Sequence, residues 1–294
     1  MKFTGPIPPM VTPFDEKGNV DIDAHLHNVQ QWSDAGLQGF LVMGSNSEAA
    51  YLETDEKLDL IRHTVTQVGK SAKVLVGTGM ESTRSTIALT NAAAALGADA
   101  ALLLTPFYYR EAMSEQALIR HFFEIANHSD IPILLYNVPK YTGINVSSAL
   151  VREISEHPNI IGMKDSSGNI GQLVQFQQAA APDFQVLVGT AAVWYPALDL
   201  GTTAGIMALA NCAPAECLEV ERLFHAGERD AARALYQTLV PVNALVTGNM
   251  GVAALKYACE LRGIRGGKVR APLSELSDAQ KKIVEKTLSD ANLI

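Results

Sequence analysis

The sequence predicts an α/β protein, a (β/α)8 TIM barrel with a C-terminal helical extension. Three observations lead there. Short apolar, β-rich runs recur at 7–12, 39–46, 73–79, 100–107, 132–138, 160–167, 184–190 and 204–211. Most are nearly continuous in apolar residues rather than alternating, the pattern of strands buried on both faces. Between them lie segments with helical periodicity, giving eight strand–helix units at spacings of about 20 to 34 residues. A doubly wound open sheet is the competing architecture. It has fewer strands and a Gly-rich nucleotide loop, and no G-x-G-x-x-G follows the first run.

Helix punctuation supports each unit in turn. Thr54, followed by Asp55 and Glu56, reads as an N-cap with an acidic first turn. Ser82-Thr83 opens the alanine-rich helix at 87–96, and Gly97 falls where a C′ glycine belongs. Ser114-Glu115, Ser147-Ser148 and Ala213-Pro214 begin further helices in the same way. His25 and His27, two apart on an early helix, cannot share a face and are expected at the surface. The eight units end near residue 225. Residues 226–294 read as three more helices, separated at Gly248 and at 262–267, and no Pro/Ser-rich linker divides them from the barrel at 1–225. These helices are expected to pack on it.

Composition narrows the function. At 48% hydrophobic residues the chain of 294 is not disordered, and a net charge of -8 argues against nucleic acid as the main partner. The odd set Cys212, Cys217 and Cys259 has no CxxC spacing and reads as reduced core residues. The N-terminus has no apolar h-region, and no run approaches the roughly 18 apolar residues a membrane span needs. A soluble, cytoplasmic protein is the expectation.

Barrel active sites lie at the C-terminal ends of the strands. No His stands at those ends, and the acids Glu48 and Asp165 are solitary, so no metal is expected. Lys164 stands out. It terminates Ile160-Ile161-Gly162-Met163, whereas nearly all of the other lysines sit in polar contexts. A strand-end lysine can simply snorkel to solvent. Held in a desolvated pocket it instead becomes a nucleophilic amine, and its place at a barrel strand end favours that reading. Tyr136 ends the preceding strand after Ile133-Leu134-Leu135, where its phenol can shuttle a proton. Without Lys164 it would read as a packed core tyrosine. Gly44-Ser45-Asn46-Ser47-Glu48 is the third element, with small polar residues and backbone N–H groups suited to a carboxylate, although Ser-Asn turns are common. An amine, a phenol and a carboxylate cradle suit a 2-oxo acid. The amine attacks the ketone, and the iminium then serves as an electron sink.

These residues resemble the dihydrodipicolinate synthase / N-acetylneuraminate lyase family of pyruvate-dependent class I aldolases. The resemblance spans essentially the whole chain. It rests on residues 44–48, Thr105-Pro106-Phe107-Tyr108-Tyr109, Tyr136-Asn137-Val138-Pro139 with Thr142-Gly143, Gly162-Met163-Lys164-Asp165-Ser166, and Gly205-Ile206 leading to Ala210-Asn211. It implies that Lys164 is the Schiff-base lysine and Tyr136 the general acid/base. Ser45, Asn46 and Ser47 then lie near the pyruvate carboxylate; Asn46 has no hydroxyl for a proton relay, whereas Ser45 does. Tyr108 corresponds to a tyrosine that reaches into a neighbouring subunit's site, and Gly189 and Ile206 to pocket-lining positions. No cofactor is implied beyond the covalent imine, and the assembly implied is a homotetramer, a dimer of dimers.

The resemblance leaves the aldehyde partner open. Lysine-biosynthetic members carry Arg two residues after the proline of Tyr-Asn-Val-Pro, where this chain has Tyr141, and a phenol makes no bidentate charged fork. Gly-Ser-Asn-x-Glu, Phe-Tyr-Tyr-Arg at 107–110, His157-Pro158-Asn159 and Arg270-Ala271-Pro272-Leu273 are similar to the 4-hydroxy-2-oxoglutarate aldolase branch, which yields pyruvate and glyoxylate. That cleavage is the expected reaction. Synthesis of dihydrodipicolinate from aspartate semialdehyde, a 2-keto-3-deoxy sugar-acid or N-acetylneuraminate lyase, and a non-catalytic 2-oxo acid binding barrel are the alternatives.

Overall fold

The computed structural model describes all 294 residues. Eight parallel strands form one sheet: β1 (Gly5–Ile7), β2 (Gly39–Val42), β3 (Lys73–Gly77), β4 (Ala100–Leu104), β5 (Ile133–Asn137), β6 (Ile160–Asp165), β7 (Gln185–Val188) and β8 (Ala204–Ile206). Each pairs with its sequence neighbours, and β8 returns to β1. Between β1 and β2 the ring is closed by a parallel bridge at Pro9–Leu41, where Met10 N–H donates to Leu41 O and Leu41 N–H to Pro8 O. The architecture is the (β/α)8 barrel that the apolar runs predict.

The strands are shorter than those runs. The run at 7–12 contains Pro8 and Pro9, which have no N–H to donate, so the ladder of β1 stops at Ile7. At the other runs the surplus residues leave the sheet at its C-terminal end and become the loops of that face. Ala208–Asn211, for example, forms a 3-10 turn after β8.

Alternation along the strands separates two cores. Ile7, Leu41, Leu75, Leu134, Leu187 and Ile206 point into the barrel and form a small inner cluster with Tyr136. Ile133, Leu135 and Met163 point outward into the much larger layer between strands and helices. Helix starts use short polar caps: Asp21, Ser82, Ser114, Ser147 and Ser277 each accept a backbone N–H from the first turn. Thr54 does not cap its helix. It is the first helical residue of Thr54–Val68; Glu53 occupies the cap position, and its N–H donates to the Glu56 carboxylate.

His25 is a second correction. It is buried, its Nε2 lies 2.8 Å from Thr64 Oγ1, and burial together with the nearby His63 pushes it down to about 4. The spacing of Ala24, His25, Asn28, Val29 and Trp32 puts it on the inward face of Ile22–Asp34, a periodicity that the pairing of His25 with His27 obscured. His27 is half-buried.

Beyond the barrel lie Arg229–Asn243, a π-helical turn Ala244–Asn249, Gly251–Leu261 and Asp278–Asp290. Ala232, Leu239, Val242, Leu255, Cys259, Val284 and Leu288 from these helices enter the outer core of the barrel. Arg262 adds polar ties to Cys212 O, Glu216 and Leu293 O. The three thiols are free and buried, and burial pushes Cys212 up to about 12. No helix is long and apolar enough to cross a membrane.

Candidate active site

Strand register builds the centre of the site. Tyr136 of β5 pairs directly with Lys164 of β6, and Lys164 with Leu187 of β7. Leu134 and Leu187 face the barrel interior, so the period-2 alternation turns Tyr136 and Lys164 inward as well. Both are buried, and the Lys164 Nζ lies 4.2 Å from the centroid of the Tyr136 ring. Burial would push the Tyr136 phenol up. The Lys164 ammonium, with the nearby polar side chains of Ser166 and Ser45, outweighs it, so the phenol sits below its ordinary value.

Ser166 is a residue the sequence reading did not single out for the site. It can stand beside Tyr136 because Gly189 leaves room: a Cβ at Gly189 would lie 1.9 Å from the Ser166 Oγ. Gly189 therefore serves by being small. Asp165 is buried beside Lys164, but its carboxylate is committed to Asn137, to the Ser167 N–H and hydroxyl, and to Gln172. It fixes the ends of β5 and β6. Ile206 belongs to the same inner cluster as Tyr136.

The segment after β2 is tightly shaped. Met43 and Glu48 both adopt left-handed conformations, at φ 59° and 55°, on either side of the 3-10 turn Ser45–Ser47. The Met43 carbonyl passes so close to Gly77 that a Cβ there would lie 2.1 Å from it. Ser45 and Asn46 are half-buried at the mouth. Ser47 differs from them. Its hydroxyl accepts from the Gly44 N–H and donates to Met10 O, and its own carbonyl accepts from the Thr12 hydroxyl. It holds the turn in shape rather than facing a ligand.

A cavity of about 720 Å³ is lined by Phe107–Ala112 and 140–143, the segments that follow β4 and β5. Tyr141 stands half-exposed in its wall; its phenol is pushed up by burial and by the proximity of Tyr136. The cations on this cavity are Arg110 and Lys140. Lys140 Nζ donates to the carbonyls of Thr247 and Gly248 in the π-helical turn. Arg110 lies over Gly143, where a Cβ would come within 2.7 Å of its Nη1. Tyr108 is 75% exposed and stacks edge-on against Tyr109.

Comparison with known proteins agrees with this geometry. The profile of the dihydrodipicolinate synthetase family matches residues 2–291. A 4-hydroxy-tetrahydrodipicolinate synthase of Methanoculleus marisnigri is 35% identical over 289 residues, covering 97% of this chain and 98% of that protein. Among solved structures, a dihydrodipicolinate synthase of Bacillus anthracis superposes with a TM-score of 0.94 at 31% identity, covering 98% of both chains. The chloride-inhibited dihydrodipicolinate synthase of Acinetobacter baumannii, complexed with pyruvate, superposes with a TM-score of 0.94 at 29% identity over the full length of both. The chain belongs to the dihydrodipicolinate synthetase family and is a carbon–carbon lyase of the Schiff-base-forming kind.

Proposed function

We propose that Lys164 is the Schiff-base lysine of a pyruvate-dependent class I aldolase and that the aldehyde partner is aspartate semialdehyde. The observation that carries the first part is the buried Lys164 amine against the Tyr136 phenol at the C-terminal end of the barrel. The lone pair of the amine adds to C2 of pyruvate, and the C2 oxygen takes up a proton from Tyr136. Loss of that oxygen as water leaves an iminium. Removal of a C3 proton then gives an enamine, whose C3 attacks the aldehyde carbon. Tyr136, whose phenol is lowered by Lys164 and the nearby Ser166 and Ser45, is placed to carry the protons in each step. Ser45 and Asn46 hold the pyruvate carboxylate. The imine is the only covalent carrier this scheme needs.

The second part rests on the names of the relatives, which are condensing synthases. The motifs at 44–48, 107–110, 157–159 and 270–273 suggested cleavage of 4-hydroxy-2-oxoglutarate instead, and none of the relatives compared above carries that name. One observation still favours the cleavage: Tyr141 supplies no guanidinium for a carboxylate on the aldehyde. In the synthase reading that carboxylate falls to Arg110 on the shared cavity. Tyr108, exposed on the monomer, is suited to a site shared between subunits of a homotetramer.

Borohydride reduction in the presence of pyruvate tests the core of the proposal. A stable adduct mapped to Lys164 is expected, and its absence would sink the Schiff-base assignment to that residue. Comparing kcat/KM for aspartate semialdehyde with that for glyoxylate settles the partner. A preference for glyoxylate by orders of magnitude would return the reading to 4-hydroxy-2-oxoglutarate.

A further inference from the structure

The chain buries a second lysine, and it reaches the site from the far end of the sequence. Lys256, in Gly251–Leu261, forms an ion pair with Glu48 in which both side chains are almost fully buried, at 2% and 1% exposure. The same ammonium donates to Lys268 O and lies 4.5 Å from the centroid of the Phe14 ring. The second carboxylate oxygen of Glu48 accepts from the Arg270 N–H. Arg270 in turn holds Tyr51 O, Gly18 O and, in a fork, Glu56. The strap carrying Lys268 and Arg270 is pressed close: a Cβ at Gly266 would lie 2.2 Å from Lys256 O, and one at Gly267 2.8 Å from the Phe14 backbone.

Glu48 is also the residue that closes the turn carrying Ser45. Its backbone N–H donates to Ser45 O, and it does so from a left-handed conformation that a non-glycine residue adopts only under constraint. Its carboxylate is held on both oxygens by the extension and the strap. A buried ion pair adds little net stability over a neutral pair of the same shape. What it supplies here is direction, since Glu48 has one place to go.

We infer that Glu48 and Lys256 are positioning residues: their buried pair fixes the 45–48 turn so that Ser45 meets the Tyr136 phenol, making the C-terminal extension part of the catalytic apparatus. This rests on the assignment of Tyr136 and Lys164 above. The turn is then set by a contact between residues more than two hundred positions apart, and its accuracy depends on how Gly251–Leu261 docks.

The test uses the full chain carrying Glu48→Gln together with Lys256→Met, which removes both charges while keeping volume and therefore folds where a single variant leaves one charge stranded. Its kcat is expected to fall roughly 10- to 100-fold, the cost of displacing a catalytic contact by about an ångström. The alkaline limb of its pH profile should move up toward that of an ordinary tyrosine, because Ser45 no longer helps to lower Tyr136. Placed in a Ser45→Ala background, the same pair of changes should cost nothing further. A merely structural role would instead multiply the two losses. Glu216→Gln, which breaks the Arg262–Glu216 tie elsewhere in the extension, should leave kcat and the pH profile unchanged. Wild-type kcat in the folded double variant, or losses that multiply with Ser45→Ala, would overturn the inference. Failure of the wild-type protein to form a borohydride adduct would instead overturn the functional assignment beneath it.

Discussion

Lys164 and Lys256 look alike by burial and by their aromatic neighbours, and they do opposite things. Each is at most 3% exposed, and each ammonium lies over a ring, that of Tyr136 at 4.2 Å and that of Phe14 at 4.5 Å. Lys256 has a carboxylate, a backbone carbonyl and a strap of chain closed around it. Burial pulls its amine down while Glu48 opposes that shift. Lys164 makes no ion pair; the nearest acid along the chain, Asp165, is already taken by Asn137, Ser167 and Gln172. A buried lysine paired with a carboxylate is a fastener, whereas one with no carboxylate partner is left to react.

The largest effects test that contrast directly. Lys164→Ala should lower kcat by about 10⁴-fold or more, the scale seen when a covalent nucleophile is deleted. It should also abolish the pyruvate adduct while leaving the melting temperature within a few degrees of wild type. Lys256→Met should strike the fold first and spare the adduct. Leaving Glu48 buried and alone is expected to destabilise the fold by about 3–5 kcal/mol, measured by urea unfolding, while the folded fraction still traps pyruvate at Lys164. If Lys256→Met abolished the adduct in protein that is demonstrably folded, the division between fastener and nucleophile would fail.

Tyr136→Phe sharpens the same comparison from the side of the proton. Removing a general acid/base costs roughly 10²–10⁴-fold in kcat. The sign of its pH dependence follows from the environment. The Lys164 charge and the neighbouring hydroxyls hold the phenol below its ordinary value, so its proton is lost at a lower pH than that of a free tyrosine. Wild-type activity should therefore decline with rising pH before an unperturbed tyrosine would titrate, and the residual activity of the Phe variant should lack that limb. An unchanged limb in the variant would assign it to another group.

The two lysines also show how much could be read in advance. Lys164 was legible because a charged residue interrupts an apolar run at a strand end, and strand register then delivered Tyr136 without further information. Lys256 carries a comparable mark, since Leu255, Ala258 and Cys259 show that it lies on the buried face of its helix. Its meaning depends on Glu48, far away in sequence, and no periodicity links the two. Ser166 was visible in the strand-end motif, and Gly189, just past the end of the adjacent strand β7, makes its position possible. The true length of β1 was readable from Pro8 and Pro9, whereas the exposure of Tyr108 depends on tertiary packing that residue spacing does not encode. Local chemistry can be read from sequence where the partner lies on an adjacent strand. It fades as the partner becomes more distant.

Solitude alone does not make a buried ionisable group functional, and Glu221 is the control. Its carboxyl sits against Gly5, whose Cβ would lie 3.1 Å from Glu221 Oε2, at the start of β1 and so at the end of the barrel opposite Lys164. It has no cationic partner, and burial pushes it up to about 7 from an ordinary 4.5. Below pH 4.5 the group is protonated in folded and unfolded chains alike and costs nothing. Between 4.5 and 7 the folded protein holds the proton more tightly, so stability falls as the pH rises, and above 7 the full penalty applies. Allowing for its partial exposure, that penalty is on the order of 2 kcal/mol. Glu221→Gln should therefore unfold at higher urea than wild type at pH 8, with the two curves merging near pH 4.5, and kcat should not change. The histidines cancel in this difference, because they are common to both proteins. A stability gain that is the same at every pH would show that Glu221 is ionised without penalty. A loss of activity would show that the N-terminal end of the barrel contributes to the chemistry, against the rule that barrel active sites occupy the other face.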